Sequence, residues 1–217
     1  EIKIPASALQ MPKPKRTYDA LEFTFERAWD RKWSFQGSYV LAFSKGNTEG
    51  YVKCDIGQDD AGISQDFDYP GLMEGSNGYL PNDRRHTFKF FGSYAVTDEF
   101  RLGASLIVQS GRPKNCFGVY DGTTDTVSSD YGDASFYCDG VLRSRGAFGR
   151  LPWTQTLNLQ ATYTPAWQKG LTLSLDVLNV LNKRGVLSIQ EGEGSGRNDP
   201  ASTYGQPLGI QAPFSMR

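Results

Sequence analysis

Cysteine and histidine are the residues of this chain whose types could carry chemistry, and both are few. Cys116 and Cys138 lie 22 residues apart in one segment, and Cys54 lies in another. Such thiols can pair in a disulfide or remain reduced. The single histidine, His86, cannot build a His-rich metal site, and no Gly-x-Ser-x-Gly motif accompanies it. The sequence therefore predicts no catalytic residue and no enzymatic activity.

Calcium binding is the second chemistry to consider, because calcium prefers several oxygen ligands and two segments are rich in aspartate. These aspartates are Asp55, Asp59, Asp60, Asp66 and Asp68 in one segment, and Asp121, Asp125, Asp130 and Asp133 in the other. Neither spacing matches the EF-hand pattern. Calcium binding stays open, but the pattern favours solvated acidic loops. We predict no metal site and no cofactor.

The overall composition limits the class of protein. The 217 residues include 23 Lys and Arg against 24 Asp and Glu, and this near-neutral balance argues against a nucleic-acid partner. No run of about 18 apolar residues exists, which excludes a transmembrane helix. The first residues also lack the pattern of a signal peptide. Aromatic residues make up 13% of the chain, with 24 Gly and 11 Pro, a mixture typical of strands and turns.

Alternating polarity identifies the elements that must position these residues. Within 153–164, for example, Leu157 and Leu159 alternate with Asn158 and Gln160, so the leucines share one face of a strand. No stretch of comparable length shows a helical period. The sequence therefore predicts an all-β protein. Its strands are expected at about 18–29, 33–44, 85–96, 100–110, 153–164 and 171–181.

The connections between these strands alternate strictly between short and long. The long ones, at about 46–83, 111–150 and 183–213, all lie at the same end of the predicted sheet. A transmembrane antiparallel β-barrel has this plan, with short periplasmic turns, long external loops and one apolar face on each strand. We therefore predict such a barrel. A secreted or surface β-sandwich that binds or adheres is the alternative, because its strands also alternate in polarity.

Six strands are too few to close a membrane barrel, whose smallest examples have about 8. Open edges cannot face lipid, because their backbone groups would lack hydrogen-bond partners. The final residues, 213–217, are expected to begin a seventh strand. The chain is thus predicted to form six to seven strands of a larger barrel.

Three short motifs lie at the ends of predicted strands: NDRRHTFK at 82–89, QSGRP at 109–113 and DVLNVLN at 176–182. Together they resemble the C-terminal barrel of the TonB-dependent outer-membrane receptors. The loop sequences at 47–72, 111–118 and 136–140 resemble more narrowly the Oar-like receptors, which carry a carboxypeptidase-regulatory-like domain at their N-terminus. The resemblance extends from Tyr18 to Arg217.

This resemblance implies a barrel of about 22 strands with a plugged lumen. The barrel would cross the outer membrane of a Gram-negative cell many times. The intact receptor would bind a scarce solute outside and import it with energy passed on by the TonB complex. Its partners would be outer-membrane lipid, the remaining barrel and plug, TonB acting through that plug, and an extracellular solute. Residues 1–217 would be the C-terminal part of the barrel, with the plug and N-terminal domain outside this chain.

The resemblance also supports a disulfide between Cys116 and Cys138, since the family has paired loop cysteines. Exported loops lie in an oxidising compartment, which permits the bond. Two free thiols are the alternative, and pairing of either with Cys54 would overturn the assignment. External loops would recognise the solute. The candidate contacts are Phe67, Tyr69, Tyr120, Tyr131, Phe136 and Tyr137.

Overall fold

Antiparallel strands make up nearly all of the regular structure of this chain. The computed structural model describes residues 11–58, 60–194 and 201–217. Within these ranges there is no α-helix, and short 3-10 turns lie only in the long connections. Across the same ranges, no helix has the length and apolar character needed to cross a membrane.

Twelve strands follow one another in the described part of the chain. They are β1 (Arg16–Arg27), β2 (Trp33–Gly46), β3 (Gly78–Tyr79), β4 (His86–Ala95), β5 (Phe100–Gln109), β6 (Tyr137–Cys138), β7 (Val141–Leu142), β8 (Thr154–Tyr163), β9 (Leu173–Leu178), β10 (Val186–Ile189), β11 (Pro207–Ile210) and β12 (Ser215–Met216). The six longest lie where the sequence alternates in polarity. β1 begins and ends two residues earlier than the segment expected at 18–29, and β9 is shorter than the segment expected at 171–181.

The long strands form one antiparallel meander. Its order is β1-β2-β4-β5-β8-β9-β12, and β3 adds to the end of β2. β6 with β7, and β10 with β11, form separate hairpins within the long connections. Apolar side chains of the large sheet remain open to solvent, as with Leu159 at 41% and Leu175 at 49% exposure. A β-sandwich would bury them under a second sheet, so the sandwich alternative is wrong.

The register of the strands places apolar residues beside apolar residues and polar residues beside polar ones. Phe23 of β1 is opposite Tyr39 of β2, and Tyr39 is opposite Phe88 of β4. Directly opposed residues of an antiparallel pair share a face, so such rows form one continuous apolar face. The alternate rows, such as Gln160 opposite Asp176, form the polar face. Single-residue alternation thus becomes a two-faced sheet.

Side-chain oxygens organise the short turns. Asp30 accepts hydrogen bonds from the amides of Lys32 and Trp33, each at 2.9 Å, between β1 and β2. Between β4 and β5, Thr97 Oγ1 accepts a hydrogen bond from the amide of Phe100 at 3.0 Å. Asp and Thr favour turns because their side chains replace backbone acceptors locally. These turns keep the hairpins tight at one end of the sheet.

Most of the buried core lies in the long connections, and the six long strands add only Ala42 and Ala95 to it. Leu72, Leu80, Phe117 and Phe136 are each at most 1% exposed, and all four belong to those connections. The sheet is a single layer, so neither of its faces has a second layer to pack against over most of its length. The candidate functional site is therefore sought where the connections meet.

Candidate functional site

The three long connections fold together at one end of the sheet. We call this body the loop module. It consists of the described residues of 46–83 (the first loop), 111–150 (the second loop) and 183–213 (the third loop). Backbone hydrogen bonds join the connections to one another. The amide of Arg145 donates to the carbonyl of Gly75, and the amide of Phe117 donates to the carbonyl of Glu191, both at 2.8 Å. The module is therefore one assembled unit.

Asp83 fastens the loop module to the sheet. Its Oδ2 accepts a hydrogen bond from the amide of Ser44 at 2.7 Å, at the end of β2. Its Oδ1 contacts the guanidinium of Arg150, which also donates to the carbonyl of Asp83 at 2.9 Å. Ser44 and Thr154, which lie at this end of the polar face, are buried. The module therefore covers that end of the polar face.

Seven of the buried charged side chains in the described loop module form ion pairs with one another, and we call these seven the ionic cluster. They are Glu49, Lys53, Asp55, Asp66, Arg112, Arg145 and Glu191. None of these side chains is more than 9% exposed. Buried charges of this kind persist in proteins when they are paired.

The ion pairs of the cluster connect different loops. Arg145 Nη1 lies 2.6 Å from Asp55 Oδ2, which joins the second loop to the first. Arg112 Nη1 lies 3.0 Å from Glu191 Oε2, which joins the second loop to the third. Arg112 also lies 3.5 Å from Asp55, so one guanidinium bridges all three loops. Removal of either arginine would leave buried carboxylates without their cation, at a cost of about 3–5 kcal/mol.

Burial changes the ionisation of this cluster. Burial, with a smaller effect from the Asp55 carboxylate, raises the pKa of Glu49 to about 7. Burial also raises the pKa of Glu191 to about 7, against the opposing effect of Arg112. The pKa of Asp55 is raised and that of Lys53 is lowered, again mainly by burial. Each shift favours the neutral form, because a charged group loses solvation inside the module.

The disulfide between Cys116 and Cys138 is present, which confirms the predicted pair. The two Cα atoms are 5.5 Å apart. Cys54 is exposed and forms no disulfide. Glu193 lies close enough to both sulfurs for its carboxylate and the two sulfur atoms to fall within 4.8 Å of one another. The sulfurs are already bonded to each other, so this trio is not a metal site.

Three of the six predicted solute contacts lie inside the loop module. Phe136 packs against Phe117 with ring centroids 5.0 Å apart, and Tyr120 packs against Tyr137 at 5.2 Å. Both tyrosine hydroxyls donate to Glu74, at 3.2 and 2.6 Å. Phe136, Tyr120 and Tyr137 are at most 8% exposed. In this structure they shape the module from within.

The other three predicted contacts lie nearer the surface. Tyr69 and Tyr131 form an edge-to-face pair with ring centroids 5.7 Å apart. The hydroxyl of Tyr131 donates to Asp68 at 3.2 Å. Phe67 has a positive φ of 67° and is partly buried. The structure therefore brings Tyr69 of the first loop and Tyr131 of the second loop together, and Phe67 lies two residues before Tyr69.

The aspartates of the first loop do not behave as one solvated group. Asp60 and Asp68 are exposed, as expected, but Asp55 and Asp66 are buried at 4% and 8% exposure. The expectation of a solvated loop is therefore wrong for these two, because Arg145, Arg112 and Lys53 neutralise them. Asp59 lies outside the described residues.

Sequence reasoning missed the ionic cluster and one cavity. The partners in the cluster are far apart in sequence, with Arg145 lying 90 positions after Asp55, so no local pattern marks them. A cavity of about 310 Å³ lies between the second and third loops. Lys114, Phe148 and Tyr204 are among the residues that line it. In the sequence, only the aromatic residues of these loops indicated a binding surface.

Similarity to known proteins fits this arrangement. The chain is 30% identical over 186 residues to the TonB-dependent transporter Oar of Myxococcus xanthus. The predicted resemblance to the Oar-like TonB-dependent receptors is confirmed. The match covers 84% of this chain but 17% of Oar, so the chain spans about a sixth of that transporter. No family model matches the chain.

Solved outer-membrane receptors share the fold of the chain. The outer membrane transporter YddB from Escherichia coli gives a TM-score of 0.54, and the ferric-catecholate import receptor Fiu from the same species gives 0.53. The siderophore receptor PiuA from Acinetobacter baumannii gives 0.50. Identities are 13–14%, and the matches cover 94% of this chain but 20–24% of those receptors. All three solved proteins are named as receptors or transporters.

Proposed function

We propose that this chain is a wall section of a TonB-dependent receptor in the outer membrane of a Gram-negative cell. The observation that carries the proposal is a single-layer antiparallel sheet with an exposed apolar face and all its long loops at one end. A soluble domain would cover such a face, whereas a bilayer solvates it. The similarity to Oar-like receptors supports the same conclusion. The receptor would import a scarce solute into the periplasm.

The sheet would continue into a closed barrel of about 22 strands, of which residues 1–217 form the C-terminal part. β1 and β12 are the edges of the meander, and lipid does not tolerate open edges. Further strands of the same receptor would therefore pair with both. The apolar face would contact outer-membrane lipid.

The polar face would line the lumen and meet the plug. It forms an open trough of about 620 Å³, whose lining includes Ser34, Gln36, Gln160 and Asp176. Polar and charged groups at these positions cost little in a hydrated or plug-filled interior. The plug would in turn receive energy from the TonB complex. We assign no residue of this chain to that coupling.

The loop module would lie outside the cell and contact the solute. Phe67, Tyr69 and Tyr131 are the proposed contacts, because aromatic rings at a surface offer both apolar area and hydroxyl groups. Tyr120, Phe136 and Tyr137 would support them from within. One receptor with this fold is named for siderophores and another for ferric catecholates, so ferric siderophores are the first solutes to test. Loss of uptake in a Tyr69→Ala, Tyr131→Ala receptor with normal assembly would identify the surface.

Two neighbouring substitutions in β8 test the membrane placement. Leu159 lies on the apolar face opposite Val177, and Gln160 lies on the polar face opposite Asp176. In the full receptor, Leu159→Arg should reduce outer-membrane assembly strongly, because an arginine facing lipid costs about 2–4 kcal/mol at the bilayer midplane. Gln160→Arg should assemble normally beside the Asp176 carboxylate. Assembly is measured as receptor recovered from the outer-membrane fraction.

The comparison of the two variants decides the proposal. They introduce the same side chain one residue apart, so they differ only in the face that receives it. Equal recovery of both variants would show that the apolar face does not meet lipid.

A further inference from the structure

Lys53 and Asp66 form an unusually enclosed pair within the first loop. Lys53 Nζ lies 3.3 Å from Asp66 Oδ1, and the two side chains are 0% and 2% exposed. The rings of Phe117 and Phe136 lie 5.5 and 5.7 Å from the same nitrogen. The nitrogen and the carboxyl group therefore meet in a dry, aromatic environment.

This pair is poorly satisfied as a pair of ions. A lysine ammonium has three N–H donors. In residues 11–58, 60–194 and 201–217, the nitrogen has two oxygen neighbours, Asp66 Oδ1 and the carbonyl of Ala134 at 3.2 Å. Neither Asp66 oxygen accepts a well-aligned hydrogen bond from these residues. A buried ion pair is stable only when its remaining donors and acceptors are satisfied.

The site disfavours the charged form of Lys53. Burial lowers the pKa of Lys53, and the nearby Arg145 guanidinium acts in the same direction, while Asp66 and Asp55 oppose it. Transfer of one proton from the ammonium to the carboxylate gives a neutral amine beside a neutral carboxylic acid. These are the nucleophile and the electrophile of amide formation.

We infer that Lys53 and Asp66 condense to an intramolecular amide cross-link. Lys53 Nζ forms a bond to Asp66 Cγ, and the bond from Cγ to the hydroxyl of the protonated carboxyl group breaks. One amine proton leaves with that hydroxyl as water, so the step needs no oxidant, reductant or cofactor. The product nitrogen keeps one N–H, and the Ala134 carbonyl is in place to accept it.

The cross-link would remove two buried charges and close the segment between residues 53 and 66. It does not depend on the solute or on the membrane placement of the sheet. If it failed to form, the proposed receptor function would be unaffected.

Tryptic digestion of the receptor tests the cross-link directly. The protein is extracted from the outer membrane in detergent, reduced, denatured and digested. Trypsin cleaves after lysine and arginine, and the cleavable sites around this pair are Lys45, Lys53 and Arg84. An acylated Lys53 resists cleavage. The expected product is one peptide covering 46–84 whose mass is lower by one water molecule.

Other outcomes overturn the inference. Complete cleavage after Lys53 with unchanged masses would show a simple ion pair. Loss of water together with cleavage after Lys53 would show a cyclic imide at an aspartate instead. Because both results come from the unmutated protein, they do not depend on the folding of any variant.

Two variants provide matched controls. Lys53→Arg keeps the positive charge and should restore cleavage at residue 53 with no loss of water. Asp66→Ala should restore cleavage after Lys53. A missed cleavage that persists in Asp66→Ala would assign the modification of Lys53 to another partner and overturn the inference.

Discussion

Glu49 is a residue whose charge the loop module disfavours. Its pKa is about 7 in the folded chain, against 4.5 for an ordinary glutamate. Below pH 4.5 the group is protonated in both the folded and the unfolded chain. Between pH 4.5 and about pH 7, Glu49 loses its proton in the unfolded chain but keeps it in the folded chain. The free energy of unfolding therefore falls as pH rises through this range. Above about pH 7 Glu49 is ionised in both states, and the loss of stability caused by its buried charge is complete.

Glu49→Gln should remove this pH dependence, because glutamine stays neutral. At pH 8 the variant should be more stable than the unmutated protein by about 1–3 kcal/mol, and near pH 4.5 the two should converge. Thermal unfolding of the loop module in detergent at several pH values measures the difference. Asp60→Asn at an exposed aspartate is the control. A difference that stays constant with pH would contradict the assignment.

At the scale of single residues, sequence reasoning worked where one residue type limits the chemistry. Cys116 and Cys138 could be paired because they lie in one loop and the family resemblance implies paired loop cysteines. Lys53 and Arg145 could not be placed, since charged residues in a loop are normally solvated. Their burial depends on loop-to-loop contacts that no local pattern records.

Asn179 shows how one residue ends an element. It has a positive φ of 47° and is 4% exposed, directly after β9. Its Nδ2 donates to the carbonyls of Lys183 and Ala212 at 2.9 and 2.7 Å. Asparagine tolerates this left-handed backbone better than most residues. The strand therefore ends here, although the alternation of polarity suggests that it continues to Leu181.

Asn179→Ala should destabilise the third loop by about 2–3 kcal/mol, because two part-buried hydrogen bonds are lost and the backbone becomes strained. Asn179→Gly relieves the backbone but still lacks the donor, so its loss should be slightly smaller. Protease sensitivity within 183–213 and denaturant unfolding measure both variants. Full recovery of stability in the glycine variant would show that the hydrogen bonds contribute nothing.

Strands could be located from sequence because side chains alternate between faces at every second residue. The rows that cross the sheet, such as Phe23 with Tyr39, follow once the hairpins are tight. Ends of strands were less predictable. They depend on individual turns such as that of Asn179, which alternation does not encode.

At the scale of the whole molecule, the sheet and the loop module are held together by different forces. The sheet has backbone hydrogen bonds and an open apolar face. The loop module has a buried core, the ionic cluster and a disulfide that closes 22 residues. Disruption of the module should therefore leave the sheet intact.

Replacement of Cys116 and Cys138 by serine tests this separation. Loss of a disulfide across a loop of this length should cost about 3 kcal/mol. Protease cleavage within 111–150 should accelerate, while outer-membrane assembly stays normal. Cys54→Ser is the control and should change little, because Cys54 is exposed and a serine hydroxyl can replace its thiol as a hydrogen-bond donor. Failure of the double variant to assemble would show that the module and sheet are interdependent.

The location of the long loops at one end of the sheet could be predicted from their spacing, but their mutual packing could not. The sequence of each loop, taken alone, predicts only a polar and irregular segment. Its buried residues become recognisable only when the partner loops are present, as with Phe117 and Phe136 between the ionic groups.

The distribution of charge in the ionic cluster also bears on how this surface can evolve. The first loop contributes an excess of acidic groups, the second contributes the two arginines, and the third contributes Glu191. A transfer of one loop from a related receptor would leave a buried charge without its counterpart. We therefore expect the three loops to be inherited together, and new specificities to arise by substitution at partly exposed positions such as Tyr69 and Tyr131.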